Sequence, residues 1–362
     1  RGWLLPASKG SPSGRRVTDQ LLDAADGGAA SKKRQRVALG KRPAKSKLVS
    51  SFRTPLWHRV VERMIAVLAL GAIAAIALIF IFIAREAAPM FWETEFAQEV
   101  ELRDLFFAKE WKGYEEPVFV WQPVGEPAKF NVVPLFVGSL KVTLLAMLMS
   151  IPLGIGCAMF IALYAPPMLR EVLKPTIELL AGIPSVVLGF FALMVLASWA
   201  QATFGFHFRL NAVVAAIGLA LTIVPVIFTI SEDAIQSVPK TLTEAALALG
   251  ARKYQVALRV VLPAALPGIA AGVVLGFGRA IGETMIVLMA SGNAAVMELF
   301  DFSTSVRTVT ATIAAELGEV AQGDPHWRVL FLLGVMLFAV TFVLNVLGDL
   351  FIQRLQKKLT AS

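Results

Sequence analysis

The sequence predicts an all-α integral membrane protein with six transmembrane helices. Three observations carry this. The 362 residues are 57% hydrophobic and only 17% charged, with a mean hydropathy of +0.69, more apolar than a water-soluble domain of this size. The apolar residues come in long runs, six of which reach the roughly 20 residues needed to cross ~30 Å of hydrocarbon. The loops between the runs alternate between rich and poor in Lys and Arg, as cytoplasmic and external loops do.

The chain opens with a basic stretch. Residues 1–60 hold fourteen Lys/Arg against Asp19, Asp23 and Asp26. This reads as a partly disordered cytoplasmic tail held near anionic lipid, and its basic excess more than accounts for the net charge of +8 without nucleic acid. Arg1 in place of Met is expected of a fragment or a processed form. The apolar run that follows is too long for a signal peptide.

The spans are expected at about 61–84, 134–164, 175–199, 210–230, 263–290 and 329–352. Basic loops at Arg170 and Lys174, at Lys240, Arg252, Lys253 and Arg259, and in the tail 353–362 put both termini inside. The segment 85–133 then lies outside. It is acidic and aromatic, with Phe106, Phe107, Trp111, Tyr114, Phe119 and Trp121. An amphipathic helix and loop at the membrane interface is expected, with a small folded domain as the alternative. In the third span, Gly182-Ile183-Pro184-Ser185 and Gly189 break the helix pattern, either as a packing kink or as a lining of a pathway.

The inside segment 231–263 is too long and too patterned for a plain connector. Leu242, Ala245, Ala246 and Leu249 share one helical face, and Gly250 ends that helix. A second short helix is expected at 253–261, before Pro263.

In the fifth span, Gly268, Gly272, Gly276, Arg279 and Glu283 fall on one narrow stripe at 100° per residue. The glycines allow close helix approach. Arg279 and Glu283 form a cation and anion at i, i+4, costly at that depth by about 2.5–3.5 kcal/mol each. One reading is a self-satisfying pair that joins helices. The other is an anion site, because a guanidinium fork matches phosphate oxygens. Glu283 could then accept a hydrogen bond from a protonated phosphate. Thr284, Ser291 and Asn293 are polar neighbours of the site.

Several chemistries are excluded. There is one cysteine, Cys157, and the histidines His58, His207 and His326 are far apart, so no metal site is expected. The Gly276-x-Gly278 run lacks the strand and spacing of a dinucleotide site, and no G-x-x-x-x-G-K-[ST] run occurs. No catalytic nucleophile–base set is present, so the chain is not expected to be an enzyme.

The run Glu244-Ala245-Ala246, Gly250, Val260, Leu262-Pro263 resembles the E-A-A-x3-G-x9-I-x-L-P signature of ABC importer permeases, with Val for Ile. Further segments resemble bacterial phosphate ABC transporter permeases. They are Ile151-Pro-Leu-Gly-Ile-Gly156, Glu178-Leu-Leu-Ala-Gly-Ile-Pro-Ser-Val187, Ser231-Glu-Asp-Ala-Ile-Gln-Ser-Val-Pro239 and Arg279-Ala-Ile-Gly-Glu-Thr-Met285. The last leans to the PstC type over its PstA-type sister. The resemblance implies a type I importer permease fold over a core of 134–352, in a bacterial inner membrane. It implies a cytoplasmic coupling helix that docks on an ATPase, and import of phosphate by alternating access. It also implies a PstA-like sister permease, two copies of a PstB-like ATPase carrying ATP and Mg, and a PstS-like periplasmic phosphate-binding protein. No cofactor is expected on this chain itself. Molybdate, sulfate or phosphonate import, or a channel or signalling scaffold, are the rival readings.

Overall fold

The computed structural model describes residues 56–92, 101–111, 114–295 and 297–361. Most of the expected basic tail lies outside the described residues. By its internal contacts the chain divides into two units, Arg1–Ile73 and Ala74–Ser362. In the first unit the described part is the start of α1 (Leu56–Ala87), exposed at every residue from 57 to 73. After His58, Arg59, Glu62 and Arg63, the run from Met64 to Ile73 is apolar on all faces and suited to lipid.

The second unit continues with α2 (Val133–Leu163), α3 (Pro167–Ala181), α4 (Ser185–Phe204), α5 (Ala212–Gln236) and α6 (Lys240–Ala248). Next come α7 (Lys253–Ile281), α8 (Met285–Ala290), α9 (Val309–Glu316) and α10 (Pro325–Ala361). Among the described residues six helices are long and apolar enough to span a membrane: α1, α2, α4, α5, α7 and α10.

The core forms where α2 and α7 both pack on α5. Small residues make this possible. A methyl group on Gly154 of α2 would lie 2.8 Å from the side chain of Ile227. On α7, a methyl on Gly268 would lie 2.5 Å from Ala234, on Gly272 3.1 Å from Ile230, and on Gly276 3.0 Å from Ile227. The glycine stripe is thus the face that α7 lays on α5, and dispersion over that close approach holds the pair where lipid supplies no hydrophobic drive.

Four element boundaries differ from the sequence reading. Pro175 belongs to α3, an amphipathic helix with no buried residue. The third span starts only at Ser185, because Gly182 caps α3 and Pro184 has the extended backbone of a new start. The Gly-Ile-Pro break is therefore a joint between two helices. The fourth span continues six residues beyond 230, so Ser231 and Glu232 are buried in α5 instead of lying in the connector.

The expected separate helix at 253–261 runs without interruption through Pro263 into the fifth span. A π turn, Ala257–Val261, explains this: the Leu262 N–H reaches back five residues to the Ala257 carbonyl. The ladder is shifted just where Pro263 has no N–H to offer. The fifth span in turn ends at Ile281, with Gly282 as its cap, and α8 is a distinct short helix.

The segment 85–133 is also different. Among its described residues there is no amphipathic α-helix beyond the end of α1. A 3-10 turn, Ala88–Phe91, is followed by a hairpin, β1 (Trp121–Gln122) paired antiparallel with β2 (Lys129–Phe130). Leu105, Trp121, Phe130 and Val132 are buried and pack with Leu330 and Leu333 of α10. Burial of these side chains against α10 favours folding of the segment onto that span.

Candidate functional site

Arg279 sits near the C-terminal end of α7. Its side chain is exposed and lines a cavity of about 610 Å³. Val226 of α5, Gly278 and Gly282 of the α7 end, and Gly334, Thr341 and Asn345 of α10 complete much of the wall. Among the described residues, no hydrogen bond or ion pair holds Arg279 or Asn345. A guanidinium left without an anion has all five donors available to one.

The expected pairing of Arg279 with Glu283 is not formed. The stripe at 100° per residue holds only while the helix continues, and α7 stops at Ile281. Glu283 lies in the turn beyond. Its Oε1 accepts from the backbone N–H groups of Thr284 and Met285, each at 3.2 Å. The carboxylate thereby satisfies donors at the start of α8. The Glu283 carbonyl accepts from Thr310 Oγ1 of α9 at 2.8 Å. Thr284 donates weakly to the Gly282 carbonyl at 3.4 Å.

Ser291 and Asn293 are also not brought to Arg279. They close α8. Asn293 donates from Nδ2 to the Leu288 carbonyl at 2.7 Å, and Ser291 is fully buried. Gly292 at φ +84 and Asn293 at φ 54 make the turn, a left-handed pair that glycine and asparagine adopt most readily. Gly292 then bridges to Val306.

Two polar residues on the cavity wall were missed in the sequence, Thr341 and Asn345. A Cβ on Gly278 would stand 3.5 Å from Asn345 Oδ1. The Asn345 carboxamide thus lies against the backbone of Gly278, next to Arg279 in the chain. Their signal was an Asn inside an apolar run, which resembles ordinary helix glue.

The segment expected to meet an ATPase is built around α6. Its C-terminus is a Schellman turn: the Gly250 N–H goes to the Leu247 carbonyl at 2.9 Å and the Ala251 N–H to the Ala246 carbonyl at 3.1 Å. Gly250 takes φ +84, the left-handed position this turn requires. Leu242, Glu244, Ala245 and Leu249 are exposed, and only Ala246 of that face is partly covered. Leu262 and Pro263 start the α-helical run of α7 that follows the π turn and reaches Arg279. Whatever seats on α6 therefore has a continuous helix leading to the cavity.

Beside the hairpin, Glu316 of α9 accepts from Trp121 Nε1 at 3.1 Å, bonds His326 Nε2 at 2.9 Å and pairs with Arg307. This cluster fastens the hairpin to α9 and α10. Lys141 of α2, almost fully buried, donates to the backbone carbonyls of Glu298 (2.7 Å) and Asp301. Asp301 Oδ1 accepts from the Ser303 hydroxyl at 2.6 Å and from its N–H at 2.8 Å. These bonds hold the Asp301 carboxyl below the usual carboxylate range, the hydroxyl bond first. Among the described residues no cluster could hold a metal ion.

Residues 150–361 match a family described as "Binding-protein-dependent transport system inner membrane component". A Bacillus subtilis protein named "Probable ABC transporter permease protein YqgH" is 38% identical over 62% of this chain and 72% of its own length. A Mesorhizobium japonicum "Phosphate transport system permease protein PstC" is 35% identical over 66% of this chain and 77% of its own. Among solved structures, a bacterial alginate ABC transporter in complex with its periplasmic protein is similar at a TM-score of 0.53. It shares 18% identity and covers 83% of this chain and 98% of that chain.

Proposed function

The chain belongs to the binding-protein-dependent transport system inner membrane components, and from that premise we propose that it is the PstC-type permease subunit through which an ABC importer moves inorganic phosphate into the cell. It is a multi-pass inner-membrane protein with the fold of type I importer permeases. ABC permeases of this family work with an ATPase and a substrate-binding protein, and the subunit is not itself catalytic.

The observation that carries the phosphate reading is the unpaired Arg279 in its cavity, with Asn345 and Thr341 across from it. A planar cation beside an amide and a hydroxyl supplies donors to several oxygens of one tetrahedral anion. Relatives named for phosphate transport support the choice of anion. Glu283 acts one step away: by capping α8 it fixes the turn that ends α7, and with it the position of the guanidinium. Thr284 belongs to the same turn. Ser291 and Asn293 are not in our reading of the site.

The remaining parts follow from the inside surface. Glu244, Ala245, Ala246 and Gly250 form the ATPase-docking helix, so α6 and both termini face the cytoplasm. A PstA-like sister permease completes the pathway, two PstB-like ATPases carry ATP and Mg, and a PstS-like protein delivers phosphate outside. This chain holds no cofactor of its own. The bare apolar residues of α1, such as Met64 and Leu68, face lipid.

Uptake of labelled phosphate by the reconstituted complex, with unlabelled phosphate, sulfate, molybdate or phosphonate as competitors, tests the cargo. Phosphate should compete at the lowest concentration. Stronger competition by sulfate or molybdate would transfer the same site to another oxyanion.

A further inference from the structure

One buried charge is not used by the site above. Glu232, in the last turn but one of α5, has a side chain 0% exposed. Arg170 Nη2 lies 2.8 Å from its Oε1 and Lys174 Nζ 2.7 Å from its Oε2, both from α3. Gln236, one turn on, also donates to Oε1. Asp233 (3.7 Å) and Glu178 (4.0 Å) are the other acids near Lys174. A fully buried carboxylate is retained only with full compensation, and here two cations of one helix supply it to another.

The position is mechanically informative. Three residues separate the end of α5 from the start of α6. A cavity of about 390 Å³ lies between α6 and this joint, lined by Arg170, Gln236, Lys240, Thr243 and Glu244. It leaves α6 room to shift against α2 and α5. On the far side, α3 leads through the Gly182–Pro184 joint into α4. There Gly189 lies so close to α8 that a methyl would stand 3.0 Å from the Met285 carbonyl and 3.2 Å from Ile286 Cα. Met285 follows directly on the turn that Glu283 caps.

We propose that Glu232, clamped by Arg170 and Lys174, is the joint through which displacement of α6 is passed along α3 and α4 to α8 and the end of α7 beside Arg279. Glu232 is a positioning residue: it touches neither cargo nor nucleotide. The Glu232 carboxylate is fully buried while Arg170 and Lys174 stay about a third exposed, so the contact resists shear because sliding α3 along α5 strands the buried carboxylate without a partner. A contiguous chain of packed elements is a route for coupling only when breaking it uncouples the ends.

The inference rests on the importer reading, and on phosphate only as the cargo measured. The test uses the full complex in proteoliposomes, with phosphate uptake and ATP hydrolysis followed in the same vesicles. In Glu232→Gln, hydrolysis should continue while phosphate moved per ATP falls about tenfold, within the usual span of coupling effects. Glu232→Asp, which keeps the charge, should recover part of that ratio. If Glu232→Gln fails to assemble, the triple variant Glu232→Leu, Arg170→Met, Lys174→Met removes the stranded charges and should assemble, again with a low ratio. A ratio equal to wild type in any assembled variant without the carboxylate overturns the proposal. A wild-type complex that hydrolyses ATP on docking its binding protein but moves no phosphate speaks against the cargo instead.

Discussion

Arg279→Ala separates transport from folding more cleanly than any other single change. The side chain has no hydrogen bond or ion pair among the described residues, so its removal strands no buried partner. Its Cβ and stem face an open cavity, so little packing is lost. The cost should fall on the anion alone. A hydrogen bond to a charged group contributes about 1.5–3 kcal/mol. Loss of the fork should therefore slow uptake at low phosphate by roughly 10- to 150-fold, taking 1.4 kcal/mol as tenfold. Arg279→Lys keeps the charge but not the bidentate geometry and should fall in between. The assay is initial uptake of labelled phosphate in cells, with complex abundance measured in the same membranes. Uptake within twofold of wild type, at equal abundance, would refute the assignment of Arg279 to the anion. Loss of the complex itself would show that the guanidinium has a structural partner outside the described residues.

Asn345→Leu keeps volume and removes the amide, so phosphate uptake should drop severalfold and competition by other oxyanions should change, as competition assays would show. Gly250→Val forces a β-branched residue into φ +84, at a cost of about 1–2 kcal/mol, and should reduce co-purification of the ATPase with little change in phosphate site occupancy. Glu316→Gln weakens the contacts with Arg307 and His326, which are 19% and 15% exposed, and should destabilise the packing of the hairpin on α9 and α10 by about 2–3 kcal/mol, visible as a lower Tm. Because the Asp301 carboxyl is held below its usual range by Ser303, its contribution is present above the ordinary carboxylate value. It is lost as pH falls through the lowered one, so hydrogen exchange of 298–304 should rise in acid, and Ser303→Ala should shift that rise to higher pH.

How far the chain could be read from its letters depended on whether the deciding interaction was local. Six spans were legible because each carries its own apolar run. The turn of α6 was legible because Gly250 and the face from Leu242 to Leu249 lie within two turns of helix. The glycine stripe of α7 was legible as a stripe, since 100° per residue needs no knowledge of a neighbour. Its partner, α5, was not.

What failed was every inference that required knowing where a helix stops under tertiary load. Arg279 and Glu283 share a face only if α7 continues past Gly282. A proline at 263 reads as a barrier unless a π turn five residues long shifts the ladder around it. Ser231 and Glu232 read as connector because an acid is disfavoured in a span. Arg170 and Lys174, about sixty residues earlier, neutralise it and let α5 continue. Thr341 and Asn345 were ordinary polar letters in an apolar run until α10 placed them opposite Arg279. Hydropathy and period are properties of one segment; the compensation of a buried charge and the contents of a cavity belong to segments distant in the chain, and only packing brings those together.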